Sequence, residues 1–103
     1  MSVPRQGEIW WAHAADKRRP VLVVTRSEVC GLLDGIVVAP VTKTVRGIPT
    51  EIPLGADEGL SMACAASFDN LQRVRRGALR TRAGDLGWRR GELCSALNAL
   101  ADC

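Results

Sequence analysis

The sequence predicts a mainly β protein closed by a C-terminal α-helix, and three observations carry that prediction. Runs rich in β-formers recur at short spacing through the first three quarters of the chain. Prolines, glycines and Asx residues punctuate those runs. The last segment then changes period, with Leu93, Leu97 and Leu100 at i, i+4 and i+7 and Ala96 on the same face. A small twisted antiparallel sheet or partly closed barrel, capped by the helix, accommodates all three.

The elements run in order. "GEIWWAH" (Gly7 to His13) reads as a first strand, and "RPVLVVTR" (Arg19 to Arg26) comes after a few polar residues, the spacing of a hairpin or tight loop. The unbroken Val-Leu-Val-Val run predicts a strand buried on both faces, or a central barrel strand. "SEVCGLLD" crosses over with a helical turn to "GIVVAPVT" (Gly35 to Thr42), where Pro40 predicts a bulge or a strand end, because proline has no N–H for the ladder. Pro49 and Pro53 in "IPTEIPL" suit an edge strand. "SMACAASFDNLQRVRR" supplies one or two more strands, broken around Asp69 and Asn70. The closing helix is expected from about Gly87 to Ala101, with Asp85 or Gly87 near its N-cap.

With 103 residues, 47% hydrophobic and 24% charged, the chain suits one compact domain over residues 1–103, and self-association would help so small a core. No apolar run is long enough to span a bilayer, and "MSVPRQGEIWW" lacks a signal-type apolar core, so the cytoplasm is the expected location. Cys30, Cys64, Cys94 and Cys103 form no C-x-x-C pair, and His13, the only histidine, completes no ligand pattern. Reduced thiols and no bound metal or other cofactor are expected.

The net charge is only +3, but Arg73, Arg75, Arg76, Arg80, Arg82, Arg89 and Arg90 fall within eighteen residues against the single acid Asp85. That stretch reads equally as a positive surface facing phosphates or as a solvated face whose acids come from elsewhere in the fold.

One histidine and no tyrosine remove several catalytic plans at once. The carboxylates form no D-x-D or H-E-x-x-H arrangement, and neither G-x-x-x-x-G-K-[ST] nor G-x-G-x-x-G occurs. Arginine and hydroxyl chemistry at strand ends remains. Arg19 precedes Pro20, which biases it to an extended conformation, and a guanidinium so held can grip a phosphate bidentately. Thr42 ends the third strand with a hydroxyl able to orient a phosphate oxygen. By spacing alone the pair is unremarkable for a small β protein.

The series "RQGEIWW", "RRPVLVVTR", "IVVAPVTKT", "PTEIPL" and "FDNLQRV", in that order, resembles the MazF/PemK family of toxins from type II toxin–antitoxin modules, over nearly the whole chain from Arg5 to about Leu100. The resemblance implies an SH3-like or plasmid-maintenance-toxin barrel, a homodimer, and a metal-independent endoribonuclease that cuts single-stranded RNA (messenger, ribosomal or transfer) and so inhibits translation and growth. It implies a partner antitoxin with an acidic, partly disordered tail. The family's catalytic arginine and threonine fall on Arg19 and Thr42, with attack by the RNA's own 2′-hydroxyl. RNA contacts are expected from the loops beside them: Asp16, Lys17 and Arg18, then Lys43, Thr44 and Arg46, then the Asp69–Asn70 turn. Trp10 and Trp11 are expected in core or dimer packing before base stacking. In many members the first loop is longer and holds a Gly-Ser-Glu segment, whereas here it is "AHAADK", so the resemblance carries over neither a cleavage motif nor an RNA class. Two rivals stand beside this reading: a gyrase-poisoning toxin of the same fold, and a catalytically silent RNA-binding β module.

Overall fold

The computed structural model describes residues 3–14 and 17–101. Among them, seven strands and two helices run in the order β1 (Glu8–Ala14), β2 (Lys17–Val23), α1 (Ser27–Cys30), β3 (Gly35–Thr42), β4 (Glu51–Leu54), β5 (Cys64–Ser67), β6 (Gln72–Arg75), β7 (Leu79–Asp85) and α2 (Gly91–Leu100). Every pairing is antiparallel, in the order β4-β5-β3-β2-β1-β7, with β6 also on β3. The result is a mainly β, half-closed barrel with a C-terminal helix.

Strand β3 organises the sheet because it has three partners. One edge pairs with β2 at residues 38–40, while the other pairs with β6 at 35–38 and then with β5 at 41–42. Ala39 and Pro40 fall where that second edge changes partner. Pro40 therefore neither bulges nor ends the strand; its missing N–H lies at a position where that edge is unpaired.

The alternation of side chains in β1, β2 and β3 feeds two cores, one on each face of the sheet. Ile9, Leu22 and Ala39 join Ile52, Phe68 and, from α2, Leu93 and Ala96. Trp10, Val21, Val23, Ile36 and Val38 meet Cys30 of α1 and Leu79 of β7 on the opposite face. This is why the apolar run of β2 is continuous. Each fully buried Leu, Ile or Val contributes about 2 kcal/mol of transfer free energy.

The segment Leu79–Asp85, on which the sequence reading is silent, pairs with β1 along most of its length. The expected start of the closing helix is corrected. The closing helix does not begin at Gly87: residues Gly87–Arg90 form a 3-10 turn, and α2 starts at Gly91 with Arg90 as its N-cap. Gly87 has φ +57, a left-handed conformation that breaks the chain direction between β7 and the 3-10 turn. Asp85, the other expected cap, ends β7 and pairs with Arg82 instead.

That turn carries Arg89, which ties three elements together. Its guanidinium contacts Glu58 at 3.1 Å and Glu92 at 2.8 Å, and donates to the Pro53 carbonyl of β4 at 2.7 Å. Beside it, Gly59 (φ +88) and Gly84 of β7 bring two backbones so close that a Cβ on either would strike the other's neighbouring carbonyl.

Candidate functional site

The ladder between β2 and β3 stops early, and one proline, Pro20, explains where. Val23, Leu22 and Val21 pair with Val38, Ala39 and Pro40. The Val24 N–H donates to the Val37 carbonyl at 2.9 Å, so hydrogen-bonded pairs fall at 24/37 and 22/39, and the next would be 20/41. Pro20 has no N–H to give there. Continuing the same register places Arg19 opposite Thr42, just past the end of the ladder, where the strands are free to part.

A groove of about 930 Å³ opens at this point. Arg18, Arg19, Thr42, Lys43, Thr44 and Asn70, all expected site residues, line it. Lys17, Arg46 and Asp69 do not, and Asp16 lies outside the described residues. Among the described residues, three cations and no carboxylate face the groove, so its charge is unbalanced in favour of an anion.

Local chemistry fixes several of these groups. Arg19 is exposed, and among the described residues its side chain makes neither an ion pair nor a hydrogen bond. Its backbone is held by pairing with buried Ala12. Thr42 pairs with Ala65 on the far side, and its Oγ1 accepts the Thr44 N–H at 3.1 Å. That bond sets the rotamer while leaving the hydroxyl proton available to donate. Arg18 lies over the Trp11 ring, 4.3 Å from its centroid, a cation–π contact at the groove wall. The two tryptophans therefore separate: Trp10 is buried in the core, while Trp11 is half-buried and faces the groove.

The other expected residues have structural partners. Asp69 accepts the Thr50 hydroxyl at 2.7 Å, and the Asn70 amide donates to Ser67 Oγ at 3.1 Å. The Arg46 and Gly47 N–H groups both donate to Glu51 Oε1, at 2.8 and 3.2 Å. Leu60, Ser61 and Met62, between β4 and β5, form a wall that sequence reasoning missed. No motif marks them; they reach the groove only because β5 pairs with both β3 and β4. Ser67 of β5 was missed for the same reason, and Gln72 because β6 pairs with β3. The Trp11–Arg18 contact had a readable signal, since a hairpin pairing His13 with Arg18 puts Trp11 diagonally across from Arg18 on one face.

None of the seven arginines between Arg73 and Arg90 lines the groove. Arg82 pairs with Glu8 and Asp85, Arg89 with Glu58 and Glu92, and Arg76 donates to the Cys30 carbonyl. For Arg82 and Arg89, one distant acid each, Glu8 and Glu58, joins a local acid three residues on, whereas Arg76 keeps its full charge against a neutral carbonyl. Cys64, at the groove, is held as a thiol: burial pushes it up, and the Glu58 carboxylate adds to the effect. Burial does the same to Cys30.

Comparisons with known proteins agree on one relationship. The family described as PemK-like, MazF-like toxin of type II toxin–antitoxin system matches residues 5–100. A probable endoribonuclease MazF2 of Mycobacterium tuberculosis is 38% identical over 101 residues, covering 96% of this chain and 99% of its own. The solved Mycobacterium tuberculosis toxin MazF-mt6 superposes with a TM-score of 0.81 at 38% identity, over 89% of this chain and 93% of its own. A MazE–MazF structure from Deinococcus radiodurans superposes with a TM-score of 0.73 at 26% identity, over 96% of each chain.

Proposed function

Because the chain belongs to the PemK-like, MazF-like toxin family of type II toxin–antitoxin systems, we propose that it is a sequence-selective endoribonuclease, cutting single-stranded RNA and neutralised by a partner antitoxin. The observation that supports this most directly is the groove itself, where Arg19 stands opposite Thr42 with cations and no carboxylate around them among the described residues. The probable endoribonucleases MazF2 and MazF5 match over 99% and 96% of their own lengths, which supports reading the chain, residues 1–103, as one toxin domain.

In this reading the 2′-oxygen attacks the adjacent phosphorus and the bond to the 5′-oxygen breaks, leaving a 2′,3′-cyclic phosphate and a 5′-hydroxyl. The proton lost from the 2′-hydroxyl is balanced by the one the 5′-oxygen gains. Arg19 binds the reacting phosphate and stabilises the charge that builds on it, taking part in proton transfer. Thr42 donates its free hydroxyl proton to a non-bridging oxygen. The substrate supplies the nucleophile, so neither a metal ion nor a protein nucleophile is required.

Arg18 and Lys43 hold neighbouring phosphates, while Thr44 and Asn70 read base edges. Lys17 and Arg46, outside the groove, act at longer range by drawing in the polyanion. Asp16 belongs to the same first-loop contact, and Asp69 acts through Thr50. An RNA substrate and the absence of a membrane-spanning helix among the described residues favour action in the cytoplasm. The MazE–MazF structure favours an antitoxin partner for a toxin homodimer, and the exposed Arg73, Arg75, Arg80 and Arg90 suit an acidic tail.

Total RNA incubated with purified protein in EDTA, with cut ends mapped by 5′-end sequencing, tests the reading. Short-motif cleavage by wild type and none by Arg19→Ala is expected. No cleavage by wild type, or equal cleavage by Arg19→Ala, overturns it; inhibition of gyrase without RNA cleavage points to the gyrase-poisoning alternative.

A further inference from the structure

We infer that Glu51 is a positioning residue for RNA binding: from behind the groove, its carboxylate sets the path of the loop that carries Lys43 and Thr44. The inference rests on the ribonuclease reading for its kinetic half.

Residues 43–49 are all exposed, including Val45 and Ile48, so this loop has no core of its own to order it. Its backbone must be held by hydrogen bonds at its two ends. At the start, Thr42 Oγ1 takes the Thr44 N–H. At the far end one oxygen, Glu51 Oε1, accepts both the Arg46 and the Gly47 N–H, at 2.8 and 3.2 Å. Gly47 has φ +68, which aims the two successive N–H groups at that single acceptor. The Glu51 N–H closes the same turn by donating to the Ile48 carbonyl at 3.0 Å.

The anchor itself is rigid. Glu51 is only 9% exposed, and as the first residue of β4 it pairs with Ser67 of β5. A carboxylate that accepts two N–H groups while largely out of water forms stronger bonds than a surface contact. Glu51 does not line the groove, so it reaches RNA only through the loop. Arg19 lies on β2, and the Thr42 backbone is held by β5, so only the Oγ1 contact with the Thr44 N–H is shared with the loop. Loosening the loop should therefore weaken binding more than the chemical step.

The test compares wild type with Glu51→Gln, Glu51→Asp and Glu51→Leu. Gln keeps an acceptor oxygen at the same reach, Asp keeps the charge but falls one methylene short, and Leu has neither. Hydrogen exchange at the Arg46 and Gly47 amides is measured without RNA. KM and kcat are measured on an oligoribonucleotide containing the mapped cut motif. For Asp and Leu, exchange at both amides should rise about tenfold and KM about tenfold, with kcat within about threefold, the scale of one lost charge-assisted hydrogen bond. Gln should stay within about threefold of wild type on every measure.

Unchanged exchange in Glu51→Asp overturns the tether, as does a Gln variant as impaired as Asp. Faster exchange with unchanged KM overturns the link to RNA. Glu51→Asp keeps the test open if Glu51→Leu fails to fold. Absence of cleavage by wild type would sink the ribonuclease reading, while the exchange result still decides the tether.

Discussion

Extending the β2–β3 register past its last pair sets Arg19 opposite Thr42, and both side chains line one groove. The pairing that joins Val21 to Pro40 reaches them two residues further on, after Pro20 has removed the donor that would have kept the strands zipped. A cation on β2 and a hydroxyl on β3 thus reach the same groove from two strands, beyond the point where their ladder ends.

Charge alone should not replace the fork of Arg19. Arg19→Lys keeps the positive charge but loses bidentate geometry, so cleavage should fall by about 10²–10³-fold, close to the loss in Arg19→Ala. The side chain is exposed, so the urea midpoint should stay within error of wild type. Single-turnover cleavage of an RNA carrying the mapped motif measures the first effect.

Thr42 separates shape from hydroxyl. Thr42→Val keeps the β-branched outline that suits the end of β3 but removes the proton donor and the acceptor for the Thr44 N–H. Its kcat should drop by at least about tenfold, the scale of one lost hydrogen bond, whereas Thr42→Ser should retain most activity. Equal activity in the two variants would remove the hydroxyl from the mechanism.

Two arginines of the basic stretch should differ sharply in stability. Arg89→Met leaves Glu58, 8% exposed at the side chain, without its partner, and should cost about 2–4 kcal/mol in urea unfolding. Arg82→Met removes a pair whose arginine is 44% exposed and should cost no more than about 1 kcal/mol. Similar losses for both would mean that burial does not set the value of these pairs.

The Arg89 hydrogen bond holds the Glu92 carboxyl below the usual 4.5, with partial burial opposing the shift. A carboxylate with a depressed folded value stabilises the fold fully above its unfolded value, and that contribution disappears as pH falls through the lower folded value. The urea midpoint of wild type should therefore exceed that of Glu92→Gln at pH 7 and converge toward it below about pH 4. A gap that persists unchanged to pH 3 would argue against this ionic contribution.

The strands that the sequence made readable are the ones whose composition reflects burial. In β2 and β3 the apolar runs feed two cores at once, so neither strand needs alternation to be recognised. Strand β7 was unreadable for the opposite reason: "LRTRAGD" offers Leu79 and Ala83 to the interior and arginines to solvent, and its place comes from pairing with β1, some seventy residues away. The site divides in the same way. Arg19 and Thr42 sit on readable strands and match a family pattern, whereas the wall at Leu60–Met62 exists only through strand pairing distant in sequence. The bond between Asp69 and Thr50 was not legible, because an exposed acid in a turn has the same appearance in sequence whatever neighbouring loop it meets.

The ends of the sheet have a bearing on how this chain behaves when it accumulates. An open sheet edge is a template on which further chains can add without limit. Here the outermost strands of the main path are β4, which carries Pro53, and β7, which sets Arg80 toward water. A missing donor on one side and an exposed cation on the other disfavour strand-to-strand growth. Copies that accumulate all at once should remain dispersed rather than forming fibres.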